Sequence, residues 1–320
     1  MKSLAIKVRK EKANEVLKEL KSLGIVREDL RPKRIGECVL IPVTKALEGY
    51  NVTQDDFESY VKSVTLKECL KERLGEGNWP RSYNMVGDIA IISLKDENLE
   101  YSKEIAECIM RSQRAKAVWG KLYTEGVERV AKLVHLGGER VTETVYKEHG
   151  LRFKLDITKV YINPSLAEEH ARIASMVKDG WRVLDAFSGL GFFSFHIARR
   201  ARATCYANDI NPYAVKYMIE NLELNKRTLK GKVIPILGDF DDVSKAFKDK
   251  FFDLVIMNLP HRAHEFVEEG ARLSRNLLVL YSVGEEGEVK DKFKDYHLIE
   301  MRRVLDYAPR KYIWRIVLKP

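Results

Sequence analysis

The chain has 320 residues and carries 56 Lys or Arg against 47 Asp or Glu, a net charge of +9. That length suits two or three domains with sizeable cores, and no apolar run approaches the ~18–20 residues of a membrane span, so a transmembrane protein is excluded. The opening MKSLAIKVRKEKANEV lacks the apolar stretch of a secretory leader, and four scattered cysteines (Cys38, Cys69, Cys108, Cys205) without a CxxC pair argue against both a disulfide scaffold and a Cys-rich zinc site. A soluble, cytoplasmic protein is expected.

In chain order, residues 1–62 form a small α/β unit. LAIKV is a strand, and Glu11 to Leu23 a helix with Val16, Leu17, Leu20 and Leu23 on one face, ended by Gly24. ECVLIPV (37–43) is a second strand, and VTQDDFESYV is expected to be helical. Nothing here has catalytic spacing, so a docking or accessory role fits best. Residues 63–150 form a middle α+β unit. A loop at LGEGNWPRSYN (74–84) precedes the strand VGDIAIISL and the helix ENLEYSKEIAECIMRSQ. The stretch Ile109–Thr124 has no acid, and sets Arg111, Arg114, Lys116 and Lys121 beside Trp119 and Tyr123. Such interleaving can hold phosphates and stack bases, but an ordinary strand with its aromatics in the core is the preferred reading. TETVYKE-HG-LRFKLDI is a hairpin, with Gly150 in the turn.

Residues 151–320 change pattern. WRVLDAF, ATCYAND, KVIPILGD, FDLVIMNLP and NLLVLYSV are apolar runs separated by helical segments, which implies a doubly wound parallel sheet. YHLIEMRRVLDYAP and RKYIWRIVLKP then follow as two strands with no helix between them. An α/β, Rossmann-like parallel sheet closed by a C-terminal antiparallel hairpin is typical of S-adenosylmethionine-dependent methyltransferases. Here it is preceded by two smaller domains.

VLDAFSGLGFFS (183–194) runs from strand through a glycine turn into a helix. Gly189 and Gly191 would let the backbone approach a ligand, while Ser194 stands where a dinucleotide fingerprint needs a third glycine. Asp185 at the strand end would repel a pyrophosphate, but suits a cation such as the amino group of S-adenosylmethionine. Asp209 ends the next strand, where a carboxylate can accept ribose hydroxyls, and Asp239 ends the third, suited to an adenine amino group. Both positions are also common turn or cap sites. At the end of the fourth strand, Asn258-Leu259-Pro260-His261 resembles the [DNS]-P-P-[YFW] loop of nucleobase amino-methyltransferases. The carboxamide of Asn258 could orient a base edge, with Pro260 stiffening the loop. His261 and His264 have HxxH spacing without a third ligand nearby, and no metal site is expected.

YNMVGDIAIIS, HLGGERVTETVYKEHGLRFKLDITKVYINPSLAEEHARI, VLDAFSGLGFFS, YANDINPYAV, MNLPHRAHEF and YAPRKYI together resemble the archaeal and eukaryotic tRNA (guanine-37-N1)-methyltransferases, from about residue 80 to the end. The resemblance implies a first domain that checks the tRNA outer corner, with the other two holding the anticodon loop and S-adenosylmethionine in a monomer. It assigns the catalytic arginine to Arg129, the catalytic glutamate to Glu169, and the loop Asn and Pro to Asn258 and Pro260. Tyr161, Phe187 and His170 join Asp185, Gly189, Gly191, Asp209, Asp239 and Asn258 around the cofactor. Asn163-Pro164-Ser165-Leu166 stands where the family has S-P-R-L. His170 replaces the arginine after the glutamate, and Phe192 the proline after the second glycine.

The chemistry is coherent with that assignment. Guanine N1 must lose a proton before it can attack; a carboxylate can take it, and a guanidinium can stabilise charge on O6. Ser165 and Glu168 fit a capping box, which would leave Glu169 free of a structural duty. Related activities on the same fold are methylation of a tricyclic wyosine precursor and transfer of the aminocarboxypropyl group; a non-catalytic tRNA-binding protein is a further alternative. Only two glutamines, Gln54 and Gln113, beside 32% charged residues hint at a heat-adapted source.

Overall fold

The computed structural model describes residues 1–59, 64–80, 82–113, 115–125 and 130–320. Two units are distinguished: Met1–Cys69 with Arg111–Gln113, and Leu70–Met110 with Arg114–Pro320. In the first, β1 (Lys2–Arg9), α1 (Ala13–Ser22), β2 (Lys33–Ile35), β3 (Cys38–Val43) and β4 (Asn51–Asp56) form an antiparallel sheet in the order β2-β3-β1-β4. Val16 and Leu20 of α1 pack on Ile6, Val8, Ile41 and Val43, the residues that alternation turns to one face. Within the helix expected over VTQDDFESYV, residues 52–56 belong instead to the strand β4, in register with β1 from Lys2↔Asp56 to Lys7↔Asn51, while Tyr60 and Val61 lie outside the described residues. The polar run suggested a helix start, but an edge strand also tolerates charge, and Asp55 meets Lys33 at 3.0 Å.

After α2 (Leu66–Leu74), the strands β5 (Asn84–Val86), β6 (Ile89–Ser93), β7 (Ala117–Glu125) and β8 (Val130–Gly138) form a second sheet, with α3 (Ser102–Gln113) between β6 and β7. The β6–β7 pair is parallel, as a helical crossover permits. Trp119 is half-buried and its indole N–H donates to the Val141 carbonyl at 3.0 Å, so this aromatic belongs to the packing, as preferred from sequence. The hairpin β9 (Glu143–Glu148) and β10 (Leu151–Asp156) turns at His149 and Gly150, both with positive φ (44° and 81°), the pair of left-handed residues that a two-residue hairpin favours.

The remaining elements are α4 (Ala167–Met176), β11 (Arg182–Asp185), α5 (Phe192–Arg200), β12 (Thr204–Asp209), α6 (Pro212–Asn225), β13 (Lys232–Leu237), α7 (Phe240–Lys245), β14 (Phe252–Met257), α8 (Val267–Leu273), β15 (Ser274–Gly284), α9 (Glu286–Lys292), β16 (His297–Ala308) and β17 (Lys311–Lys319). The seven strands are ordered β13-β12-β11-β14-β15-β17-β16. The first five are parallel, and β17 inserts antiparallel between β15 and β16. Every residue of β14 is buried, as a central strand covered on both faces requires. This is the Rossmann-like methyltransferase sheet with its closing hairpin, and the order reverses between β11 and β14, where such folds open a crevice.

A side-chain seam joins α6 to β10. Asn221 accepts from the Lys154 N–H (2.7 Å) and donates to its carbonyl (3.1 Å); Asn225 does the same for Arg152 (2.9 and 2.7 Å). Two amides one helical turn apart thus pair alternate residues of a strand, as a neighbouring strand would. Cys38 and Cys205 are free thiols, whereas Cys69 and Cys108 are disulfide-bonded. Separation in sequence does not bound separation in space.

Candidate active site

At the carboxyl ends of β11, β12, β13 and β14 lies a cleft of about 690 Å³. Its wall includes Tyr161, His170, Phe187, Gly189, Asp209, Asp239, Asn258 and Pro260, eight of the residues singled out from sequence. Lys121 of β7 and Tyr307 of the closing hairpin border it too.

The glycine loop after β11 is shaped from both sides. Gly189 and Gly191 have φ of 55° and 79°. A Cβ on Gly189 would meet nothing within 4 Å among the described residues, so this backbone faces open cleft, whereas one on Gly191 would press on Met218 and Phe195 at 3.2 Å. Gly189 is therefore the position fitted to a close ligand, and Gly191 answers to packing. Asp209 braces the loop: Oδ2 accepts the Gly189 N–H at 2.7 Å and Oδ1 the Asn211 N–H at 2.9 Å. Asp239 caps α7, accepting from the Asp241 N–H at 2.9 Å while lining the cleft. Phe187 packs at a tilt against Phe240 and Phe266, both at 5.3 Å between ring centres, to make an apolar wall.

Asp185 is set behind this wall. It is fully buried, accepts from the Ser194 hydroxyl at 2.9 Å, and its carboxyl is pushed up to about 7, chiefly by burial. Beyond β14, the Leu259 carbonyl accepts from Ala263 and Arg262 (2.7 and 2.9 Å), and the Pro260 carbonyl from Val283 (3.0 Å). Those bonds fix the turn that presents Asn258.

Glu169 lies behind the cleft wall, 7% exposed, with Arg315 Nη1 donating to both its oxygens at 2.7 and 2.9 Å and the Tyr281 hydroxyl at 2.8 Å. Arg315 and Tyr281 are cross-strand partners on β17 and β15. The premise that Glu169 has no structural duty is thereby corrected: it is the counterion of a buried arginine. The capping box expected of Ser165 and Glu168 is also absent, because Asn163 caps this turn through the Ser165 N–H (3.2 Å) and Glu168 reaches His149 instead (3.2 Å). Arg315 and Tyr281 were missed from sequence, although a lone arginine inside the apolar run IWRIVL is itself a signal that a buried anion faces it. His170, at the cleft floor, gives its Nδ1 to Glu148. Arg129 lies outside the described residues.

Comparison with known proteins converges on one family. The TRM5/TYW2 methyltransferase domain matches residues 144–295, the TYW2 N-terminal domain 66–142, and the tRNA methyltransferase 5 N-terminal domain 5–51. A tRNA (guanine(37)-N(1))-methyltransferase Trm5b of Pyrococcus abyssi is 36% identical over 334 residues, covering 97% of each chain. A tRNA 4-demethylwyosine(37)-methyltransferase Taw21 of Saccharolobus solfataricus is 39% identical over 207 residues, 63% of this chain and 77% of the relative. Among solved structures, that of aTrm5 in complex with tRNALeu superposes with a TM-score of 0.77 at 30% identity, covering 99% of both chains.

Proposed function

Because the chain belongs to the Trm5 family of tRNA methyltransferases, we propose that it transfers the methyl group of S-adenosylmethionine to N1 of guanosine 37, next to the anticodon of tRNA. The observation that carries this reading is a cleft at the strand ends, where Asp209, Asp239 and the Asn258–Pro260 turn converge beside an open glycine backbone. A ribose, an adenine and a second base need such an array.

S-adenosylmethionine supplies an electrophilic methyl group on a sulfonium when it is bound. Asp209, braced by the Gly189 and Asn211 N–H groups, serves the ribose hydroxyls, and Asp239 serves the adenine amino group. Phe187 and Tyr161 form the apolar and polar walls, and Gly189 admits the ligand. Gly191, Asp185 and His170 support the loop and floor from behind. Asn258 orients the guanine edge on a turn stiffened by Pro260. Glu169 takes the N1 proton, and Arg129 offsets charge on O6. Since Glu169 starts behind the wall, its action requires the first turn of α4 to move toward the cleft when RNA binds.

In this reading residues 1–62 contact the tRNA outer corner, and 63–150 and 151–320 hold the anticodon loop. The enzyme works as a cytoplasmic monomer. The test uses tRNA transcripts with G or A at position 37 and S-adenosylmethionine labelled in its methyl group. Transfer to the G transcript alone, at N1, is expected; equal transfer to both, or to neither, overturns the proposal. A Glu169→Gln variant that keeps full single-turnover activity across pH removes the base assignment. The similarity to the Taw21 methyltransferase favours a second substrate, a wyosine precursor at position 37. Label in the carboxyl carbon would report aminocarboxypropyl transfer instead.

A further inference from the structure

Beneath the cleft, three donor side chains from separate elements meet away from solvent. Glu148 ends β9, His170 sits on α4 and His196 on α5, and they are 4%, 3% and 4% exposed. His170 Nδ1 and His196 Nε2 both approach the same carboxylate oxygen, Oε1, at 2.7 and 2.8 Å. One potential ligand atom from each residue falls within 4.8 Å of the others. The second oxygen, Oε2, is buried without a hydrogen-bond partner among the described residues.

Hydrogen bonding alone satisfies this cluster poorly. Two imidazoles crowd one oxygen, and the Tyr146 hydroxyl also lies close to the carboxylate, in a shell where Phe192 stacks on the His170 ring at 5.1 Å and Phe193 meets it edge-on at 4.7 Å. A buried anion in such surroundings calls for a cation with directional bonds. We propose that Glu148, His170 and His196 bind one divalent transition-metal ion of the zinc class. Two imidazoles and one carboxylate are the donor set such ions take, whereas magnesium and calcium require mostly oxygen ligands. Each imidazole would carry its single proton on the nitrogen facing away and offer a lone pair inward.

A fourth donor is at hand. The ring of His149 stands 5.6 Å from that of His196, and its side chain is 36% exposed, so it can serve as ligand or as entry point. The ion would tie together β9, α4 and α5, which otherwise meet only through side chains here. The site shares His170 with the cleft floor but does not rest on the methyl-transfer reading.

The experiment titrates cobalt(II) into the chelator-treated full-length protein, following visible d–d absorption, with elemental analysis for zinc after reconstitution. Saturation at one equivalent per chain, displaced by zinc and accompanied by a higher thermal midpoint, is expected. His196→Gln and Glu148→Gln should each weaken binding by more than the ~10–100-fold that outer-shell changes cost, while His264→Gln leaves it unchanged. Circular dichroism checks that the variants fold. Wild-type protein without stoichiometric binding overturns the proposal whatever the variants do, and so does binding that survives in both.

Discussion

A carboxylate taken out of water persists as an ion only beside compensating charge, and Glu169 finds this in Arg315. Removing the cation should therefore cost more than removing the pair. Arg315→Met is expected to lose about 3–5 kcal/mol in chemical denaturation, because it strands the glutamate. The double variant with Glu169→Gln should recover much of that loss, a non-additivity that a mutational cycle measures. Asp185 behaves in the opposite sense. Its folded value of about 7 lies above the ordinary 3.8, so the protonated form favours folding. That contribution is fully present below about pH 4 and lost as pH rises through 7; at full ionisation it is on the order of 4 kcal/mol. Asp185→Asn should flatten this decline, read as midpoint of denaturation against pH. The strand-end position of Asp185 was legible in the sequence, and its burial was not.

Elements were the most legible level wherever one period dominated. The five parallel strands, the closing β16–β17 pair and the β9–β10 hairpin follow from apolar runs and turn residues alone. β4 escaped because an edge strand need not alternate cleanly, and the turn before α4 is capped by Asn163 rather than by the Ser165 the sequence reading chose. The turn after β14 makes a sharper case. Asn258 is held by the hydrogen bonds of Leu259 and Pro260 around it, so its carboxamide can be removed without disturbing the backbone. Asn258→Ala is expected to lower the single-turnover rate by roughly 10- to 100-fold, with cofactor affinity, measured by calorimetry, changed far less.

Over the whole molecule, the surplus of nine positive charges is thinly spread, and no single basic tail carries it. Binding of tRNA should nonetheless weaken steeply with salt, while binding of S-adenosylmethionine should not; paired titrations across a range of potassium chloride concentrations separate the two. The cleft was legible in the sequence because its lining residues follow strand ends one after another. It did not reveal Arg315, Tyr281 or the Glu148 cluster, whose partners stand tens of residues apart and meet only through topology. The seam of Asn221 and Asn225 carries a different consequence, one of chemical ageing. In a chain whose glutamines are reduced to two, these asparagines hold the hairpin by their amides, shielded at 0% and 2% exposure. Hydrolysis of either to aspartate would turn a donor into an anion facing the carbonyl of Lys154 or Arg152. The seam would weaken while Leu151, Phe153 and Leu155 still hold the hairpin in the core, so ageing at high temperature would loosen this contact before it unfolds the domain.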